Sequence, residues 1–350
     1  MIDKKVFIEI KKLLDNSENP LFFFDDDCDG TCAYLILRKH KGYGYSVPVK
    51  GNPELNMDFY HKVKEYTPDL VFILDKPKLS QEFVDNINVP IIWIDHHPIQ
   101  KVNGVKIYFN PLIYDNNDTR STTFWAYEII KENMWVAMIG CIADFHIPNF
   151  SDEFVKKYPD LFSTKIKDPA QALFETKVGL LVKIISFNLK GKTTYVRKSL
   201  NSLVKIKDPY EILDRTSKEG QYLWDRYESI NIVYSELLKK ALNEKHDENF
   251  VIYTYSDNGL AVSSELSNEL QYKFPNKYVI VGRVKENAVV LSVRNKTNPV
   301  RDILLKAIEG LNASVGGHLH ACGGSIPKDN FVLFIKRFKD LALKELKIEY

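Results

Sequence analysis

Three short apolar runs, each followed at once by aspartate, constrain the fold of this 350-residue chain most strongly. They are Leu21–Phe24, before the acidic loop DDDCDG, Leu70–Leu74, before Asp75, and Pro90–Ile94, before Asp95. Each run is too short for a helix and lacks polar alternation, a pattern typical of strands buried on both faces of a parallel sheet. Parallel strands bring their carboxyl ends to one edge of a sheet, where ligands bind. We therefore expect these acids to converge.

The segments between these runs predict a doubly wound α/β domain with a parallel sheet over residues 1–150. A weaker strand is predicted at Tyr45–Val49. Helices are predicted at Thr31–Lys41, Asn56–Tyr66, Ser80–Asn86 and Ser121–Glu132. Asp118 or Thr119 is the candidate N-cap of the last of these helices.

Two further parts are predicted after the first domain. Over residues 151–246 the strand signal fades and helical periodicity dominates, which indicates a helical connector. Residues 247–350 mix both patterns again and predict a smaller α/β domain. Its predicted elements are strands at Asn249–Ser256, Lys277–Lys285 and Ala288–Asn295, and helices at Ser263–Phe274 and Val300–Leu311.

The composition narrows the class of protein. Hydrophobic content of 45% and charged content of 27% are those of a globular protein, and no apolar run approaches the roughly 20 residues that a membrane span needs. The formal net charge is +2, so nucleic-acid binding would need a local basic surface. The four cysteines are scattered and form no C-x-x-C pair, which fits a reduced cytoplasmic setting better than a zinc cage.

The acids at the predicted strand ends come with two imidazoles. Asp95 is followed by His96 and His97, and a fourth acid, Asp144, closes the apolar stretch AMIGCIADF and is also predicted to end a strand. Carboxylates mixed with imidazoles suit Mn²⁺ or Mg²⁺ better than metals that prefer thiolates. The pattern predicts one divalent cation, or two that share a bridging carboxylate, and such a pair can promote phosphoester hydrolysis.

Each motif taken alone has a simpler interpretation. A single aspartate after a strand usually caps a helix or forms a turn. The loop DDDCDG could be a solvated turn or a calcium loop, although it lacks the spaced ligands of an EF-hand. Four acidic ends in one domain, one of them Asp-His-His, favour a metal site over coincidence.

Together these motifs resemble a known family. DCDG at residues 27–30, Asp75, DHH at residues 95–97 and Asp144 resemble, in order and spacing, the four motifs of the DHH phosphoesterase superfamily. The stretch GGHLHACGG resembles the glycine-rich signature of the C-terminal domain associated with it. Within the superfamily the chain resembles RecJ-type single-strand exonucleases, particularly their compact archaeal relatives.

The resemblance implies two metal sites. One ion would be held by Asp29, Asp75, His96 and Asp144. The other would be held by Asp27 and Asp75, so that Asp75 would bridge the two ions. Members of the family commonly have a histidine four residues before Asp27, where this chain has Phe23. The second ion is therefore expected to be weakly held, with Asp25 or Asp26 as a possible substitute ligand.

The resemblance also implies catalytic roles beside the metals. His97 would contact the scissile phosphate and stabilise developing charge, and Asp95 would orient a histidine. Lys76 and Lys78 follow the second acidic strand end. They either contact phosphate or are surface lysines, and the sequence leaves both interpretations open.

Substrate binding is predicted in the C-terminal domain. Gly316 and Gly317 would offer backbone N–H groups to a phosphate, because no Cβ blocks its approach. His318 would add a donor, and Arg294 would make a bidentate phosphate contact. The simpler interpretations are a tight turn for the glycines and a surface charge for Arg294.

The sequence thus predicts a divalent-metal-dependent phosphodiester hydrolase, a single-strand-specific exonuclease acting on DNA, RNA or both. The basic run Lys190–Lys198, which contains Tyr195, either guides a nucleic-acid strand or is an ordinary solvated face. Alternatives are a phosphoesterase for short oligonucleotides, cyclic dinucleotides or nucleotide phosphates, and a non-catalytic replication scaffold. Single-stranded nucleic acid and replication or repair proteins are the expected partners.

Overall fold

The computed structural model of the protein describes residues 4–51, 54–257 and 259–348. The described residues fall into two compact units. The first lies within Met1–Leu189 and Thr193–Tyr227, and the second within Lys190–Lys192 and Glu228–Tyr350. Helices from the predicted connector, up to Tyr227, therefore belong to the first unit. Compactness alone does not define a folding domain, so the predicted boundaries at residues 150 and 246 stay a prediction.

The first unit contains a five-stranded sheet of order β2-β1-β4-β6-β7, in which all neighbouring strands are parallel. A two-stranded parallel sheet pairs β3 with β5. The strands are β1 Pro20–Asp25, β2 Tyr45–Val49, β3 Glu54–Leu55, β4 Leu70–Leu74, β5 Lys78–Leu79, β6 Ile91–Ile94 and β7 Ile107–Phe109. The predicted parallel sheet is confirmed, and β7 is an additional edge strand that the sequence did not indicate.

Helices surround this sheet. They are α1 Lys5–Asn16, α2 Cys28–Lys41, α3 Tyr60–Tyr66, α4 Gln81–Asp85, α5 Thr122–Ile130, α6 Met134–Ala143, α7 Ser151–Lys157, α8 Pro169–Glu175, α9 Lys177–Asn188, α10 Thr193–Lys205 and α11 Tyr210–Leu213. Helix α2 packs on α5 and α6, and α9 packs on α6. The boundary between the two units falls within the next helix, α12 Lys218–Asn243.

The N-cap predicted for α5 was wrong. Ser121 caps this helix, because its Oγ accepts a hydrogen bond from the N–H of Phe124 at 3.2 Å. Asp118 lies too early in the chain to cap the helix and instead accepts a hydrogen bond from Nε of Arg120 at 2.8 Å. A hydroxyl immediately before the first turn outcompetes a carboxylate farther upstream.

The aromatic run in β1 packs on both faces of the sheet, as expected for a central parallel strand. Phe24 stacks on Tyr34 of α2 with ring centroids 4.4 Å apart. Phe23 points to the opposite face and contacts Phe83 edge-on at 5.7 Å and Phe59 at 6.4 Å. Both faces of β1 are therefore closed by apolar packing, and only its carboxyl end is left for polar chemistry.

The second unit contains a mixed five-stranded sheet of order β11-β12-β10-β9-β8, in which β8 and β9 are parallel and the other pairs antiparallel. The strands are β8 Phe250–Ser256, β9 Tyr278–Val284, β10 Ala288–Arg294, β11 Ser314–Gly317 and β12 Ala321–Pro327. Its helices are α13 Ser263–Lys273, α14 Arg301–Ala307 and α15 Phe331–Ile348. The three predicted strands are present, whereas the glycine-rich hairpin of β11 and β12 was missed.

Among the described residues, no helix combines the length and the apolar character that crossing a membrane would require.

Candidate metal centre

The acidic loop after β1 begins α2 and directs its carboxylates to the carboxyl edge of the sheet. Asp27 is the N-cap of α2, and its Oδ1 accepts a hydrogen bond from the N–H of Gly30 at 2.9 Å. A Cβ at Gly30 would lie 2.8 Å from the carbonyl oxygen of Asp25, so only glycine permits this close packing. The helix starts at Cys28, three residues before the predicted start, because Asp27 caps it there.

Asp29 is buried and held by the amino end of α5. Its two carboxylate oxygens accept hydrogen bonds from the N–H groups of Thr122 and Thr123, each at 2.8 Å. Helix amino ends stabilise negative charge through their unpaired N–H groups and dipole. The sequence did not indicate these two threonines as part of the site. The sequence signal that could have indicated them is the run Ser-Thr-Thr at the start of a predicted helix, because the N–H groups of a helix start can bind a carboxylate.

Asp75 lies at the centre of the acids, directly after β4. It is 2% exposed, and its φ of +58° is a left-handed conformation that few residues other than glycine adopt. Oδ1 accepts a hydrogen bond from the hydroxyl of Thr122 at 3.0 Å and lies 3.4 Å from Nε2 of His96. The turn at Asp75 thus aims its carboxylate at neighbouring site residues.

Three groups of candidate ligands meet at Asp75. In each group the candidate ligand atoms lie within 4.8 Å of one another. The first group is Asp29, Asp75 and His96, the second is Asp25, Asp27 and Asp75, and the third is Asp75, Asp95 and His97. The shared carboxylate is the arrangement expected of a bridge between two cations. Asp25, rather than Asp26, is the additional acid brought into the second group.

Asp144 does not end a strand, as the sequence had suggested; it follows α6 as the C-cap of that helix. Its Oδ2 lies 3.7 Å from Nδ1 of His96, whereas Nε2 of the same ring faces Asp75. The structure therefore brings three of the four ligands predicted for the first ion into one group, and places the fourth beside the opposite ring nitrogen.

His97 and Asp95 form a closely bonded pair. Nδ1 of His97 donates to Oδ1 of Asp95 at 2.8 Å, and the N–H of His97 donates to Oδ2 at 3.0 Å. A carboxylate only accepts hydrogen bonds, so the ring carries its proton on Nδ1. Asn110, which the sequence did not indicate, donates to the carbonyl oxygen of His97 at 2.8 Å and fixes the same turn.

The electrostatics of the acids favour a bound cation. Burial, followed by repulsion from Asp29 and Asp27, raises the pKa of Asp75 well above its usual range. Burial raises the pKa of Asp144 to about 7. Burial opposes the charged form of His96, but the neighbouring carboxylates, first among them Asp144, outweigh it and raise its pKa to about 9. Oxygen-rich ligands that repel one another fit a hard divalent cation.

Lys76 is not a surface lysine. Its side chain is 1% exposed, and Nζ lies 2.9 Å from Oδ1 of Asp25. Burial and repulsion from Asp27 still raise the pKa of Asp25 to about 6, although Lys76 acts in the opposite direction. Lys78, by contrast, is exposed.

In the second unit, the glycines of GGHLHACGG differ in what they require. Gly317 has a φ of +136°, and a Cβ there would lie 2.5 Å from the carbonyl oxygen of Ala321, so the hairpin turn itself demands glycine. The N–H of His318 closes that turn by donating to Ala321 at 2.9 Å. At Gly316 a Cβ would meet no atom within 4 Å. Gly316, unlike Gly317, therefore has no steric reason to be glycine.

Arg294 is tied into its own unit. Nε donates to Asn268 at 2.6 Å, one terminal nitrogen donates to the carbonyl oxygens of Val293 and Cys322, and the other donates to Oγ of Ser264. These four hydrogen bonds leave one N–H of the five that a guanidinium carries. The predicted bidentate phosphate contact would therefore require at least one internal bond to be replaced.

Comparisons with known proteins find a family model and solved structures that are similar to this chain. The N-terminal domain of the DHH family matches residues 21–147. No curated protein matches the chain by sequence. The chain is similar to RecJ from Thermus thermophilus, solved with Mn²⁺ and with Mg²⁺. In the Mn²⁺ structure the TM-score is 0.66 at 16% identity, over 97% of this chain and 54% of that one.

Two other similar structures span nearly the same length as this chain. One is CDC45 from Entamoeba histolytica, with a TM-score of 0.57, 13% identity and coverage of 97% of this chain and 99% of that one. The other is the pGpG-specific phosphodiesterase PggH from Vibrio cholerae. Its TM-score is 0.51 at 12% identity, over 93% of this chain and 99% of that one. Residues 21–147 thus match the model of the DHH family's N-terminal domain, and the chain has a RecJ-like fold.

Proposed function

We propose that this protein is a divalent-metal-dependent phosphodiester hydrolase, and specifically a single-strand exonuclease acting on DNA, RNA or both. Members of the superfamily are typically metal-dependent phosphoesterases. The observation that carries the proposal is that three groups of candidate ligands share Asp75 at the carboxyl edge of a parallel sheet. The cofactor is Mn²⁺ or Mg²⁺, two ions with one weakly held.

The residues have distinct roles in this proposal. Asp29, Asp75 and His96, with Asp144, hold the first ion, and Asp27 with Asp75 holds the second. When bound, divalent cations activate water and stabilise the charge that develops on the phosphate. Asp95 fixes the ring of His97 through Nδ1, and that ring contacts the scissile phosphate. Thr122 and Thr123 keep Asp29 in place.

A cationic and aromatic surface on the first unit supports a nucleic-acid substrate. Tyr195 is 51% exposed, and the guanidinium of Arg226 lies 5.1 Å from its ring centroid. Nearby in sequence, Nζ of Lys198 lies 4.1 Å from the ring of Tyr222. Exposed aromatic rings beside positive charge suit stacking of unpaired bases. In the second unit, Gly316, which has open space on its Cβ side, is proposed to bind phosphate together with Gly317, His318 and Arg294.

The test is a nuclease screen of metals against substrates. Single strands of DNA and RNA, labelled at the 5′ or the 3′ end, and matched duplexes are incubated with Mn²⁺, Mg²⁺, Ca²⁺ or chelator. The expected result is Mn²⁺- or Mg²⁺-dependent release of nucleotides from one end of single strands. Binding of single strands without hydrolysis under every metal would contradict the proposal and favour the non-catalytic scaffold. The presence of Asp27, Asp29, Asp75, His96, His97 and Asp144 argues against that alternative.

A second candidate is a phosphoesterase for short substrates. The chain covers 99% of the pGpG-specific phosphodiesterase that it resembles, but 54% of RecJ. Linear dinucleotides and cyclic dinucleotides added to the same screen distinguish the two candidates, because a short-substrate enzyme would hydrolyse a dinucleotide far faster than a long strand.

The setting of the protein is also proposed. Cys28, Cys32, Cys141 and Cys322 are all buried free thiols. Free thiols are typical of the reducing cytoplasm, where we place the protein. Proteins of replication or repair are proposed partners, which follows from the exonuclease proposal alone.

A further inference from the structure

A buried lysine lies within the acidic cluster. Lys76 follows Asp75 directly, and its side chain is 1% exposed. Its carbonyl oxygen accepts a hydrogen bond from Nε1 of the buried Trp93 at 3.0 Å, and Trp93 in turn stacks on Tyr108 at 4.1 Å. The backbone from which the side chain of Lys76 extends is therefore held firmly.

The ammonium group of Lys76 has a defined partner. Nζ donates to Oδ1 of Asp25 at 2.9 Å, across 51 positions in sequence. A buried lysine is costly unless it is paired, so this contact is strongly favoured. Asp25 is also a member of the group of acids that includes Asp27 and Asp75. The same carboxylate thus belongs to a candidate ligand group and is bonded to the ammonium group of Lys76.

These two uses of Asp25 oppose each other. A carboxylate bonded to an ammonium group is a poorer metal ligand, and a positive charge a few ångströms away repels a divalent cation. In the group of Asp29, Asp75 and His96, the two carboxylates are instead held by Thr122, Thr123 and His96. Lys76 therefore competes for a carboxylate of the group that contains Asp25 and leaves Asp29 unengaged.

We propose that Lys76 is a built-in counter-charge, which engages Asp25 and limits the free protein to one tightly bound divalent cation. The second cation then binds only when substrate phosphate adds ligands and negative charge. This inference rests on the proposed metal-dependent function. It also assigns Lys76 a positioning role, in place of the direct phosphate contact suggested by its place in the sequence.

The test is a calorimetric titration of the metal-free protein with Mn²⁺. The wild type should bind one tight ion. The substitution Lys76→Met frees Asp25, so this variant should bind two Mn²⁺ ions, with the affinity for the second ion raised at least tenfold. The double variant Asp25→Asn/Lys76→Met lacks the freed ligand and should again bind one tight ion. Lys78→Met, which changes the exposed lysine two residues along, is the matched control and should behave as the wild type.

Asp25→Asn alone provides a test that does not depend on whether Lys76→Met folds. Since Asp25 is engaged by Lys76, this variant should keep one tight Mn²⁺ ion. Loss of that ion, or two equally tight ions in the wild type, would overturn the proposal. A folded Lys76→Met protein that still binds one ion would also overturn it.

Thermal unfolding in chelator separates this inference from the proposed function. Each single variant should lower Tm, because Asp25→Asn leaves the buried ammonium group of Lys76 unpaired and Lys76→Met leaves the half-buried carboxylate of Asp25 unpaired. The double variant should recover most of the loss. If the wild type binds no Mn²⁺, the proposed function is overturned. Recovery of Tm in the double variant would still support Lys76 as the counter-charge of Asp25. Additive losses in the double variant would overturn that pairing, whatever the metal data show.

Discussion

At the scale of single residues, Asp75 combines three unusual properties. It is buried, it has a left-handed backbone, and its carboxylate belongs to three groups of candidate ligands. Strained backbone is retained at sites where function requires a particular side-chain direction. Asp26, in the same acidic cluster, belongs to none of these groups, which makes it a matched control.

We expect Asp75→Asn to abolish hydrolysis, because a bridging carboxylate serves both cations and an amide cannot replace its charge. Asp26→Asn should retain activity within a few-fold of the wild type. Initial rates on a labelled single strand at saturating Mn²⁺ provide the measurement. Near-normal turnover by the Asp75 variant would refute the assignment of the metal centre.

Phe23 occupies the position where the family commonly has a histidine, yet it is fully buried between Phe59 and Phe83. We expect Phe23→His to destabilise the protein by about 2–4 kcal/mol, because it buries a polar ring in an apolar core. Restoring the histidine should not restore a metal ligand. Urea unfolding measures the loss.

Phe23→Leu is the control for this substitution, since it keeps the site apolar and should cost less than the histidine variant. A Phe23→His protein as stable as the wild type, with a newly tightened Mn²⁺ site, would show that the ring can reach the acids.

At the scale of elements, hydrophobic pattern predicted the central strands well, because a buried parallel strand is apolar at every position. The strand predicted at Tyr45–Val49 coincides with β2, and the run Leu70–Leu74 coincides with β4. The hairpin of β11 and β12 escaped prediction. Its glycines and serines carry no apolar pattern, and the pairing with β10 supplies the order that the local sequence lacks.

The two glycines in that hairpin should respond differently to alanine. Gly317→Ala should destabilise the second unit by about 1–3 kcal/mol, because the side chain is strained at positive φ and meets Ala321. Gly316→Ala should leave stability within about 0.5 kcal/mol, since its Cβ enters open space.

If phosphate approaches the backbone at Gly316, the alanine variant should raise KM for oligonucleotides while the unfolding midpoint stays unchanged. Paired measurements of urea unfolding and KM check both expectations. An unchanged KM in the Gly316 variant would remove this glycine from the proposed phosphate site.

At the scale of the whole molecule, a metal ion that binds only the folded protein must stabilise it. We expect Mn²⁺ at 100 times its Kd to add about 2.7 kcal/mol to the free energy of unfolding, and chelator to remove that gain. Thermal scans with Mn²⁺ or chelator provide the measurement, with Asp75→Asn as the control. An equal rise in Tm for that variant would indicate binding elsewhere.

A substitution at Tyr195 tests whether the substrate is a long strand or a dinucleotide. Tyr195→Ala should weaken binding of a long single strand by about 1–3 kcal/mol, the usual contribution of one stacked base, and leave dinucleotide hydrolysis unchanged. Tyr43→Ala is the control, because Tyr43 is also exposed and lies beside a lysine. Fluorescence anisotropy measures the binding. Equal effects of both substitutions would argue against stacking at Tyr195.

The sequence by itself determined the parallel sheet and the convergence of the acids, because burial of a strand and the position of its end are local properties of the chain. The sequence also indicated Asp95, His96 and His97 as site residues. It misplaced Asp144, since a continuous apolar stretch does not distinguish a buried helix such as α6 from a buried strand.

Only the tertiary structure decided which partners hold the acids. Asp29 meets Thr122 across 93 positions, and Asp25 meets Lys76 across 51. Arg294 likewise joins helix α13 and strand β12 of its own unit. Such contacts depend on how distant elements pack, and no local pattern encodes the partner. The charge balance of the candidate metal centre is therefore a property of the fold, whereas its acids are already visible in the sequence.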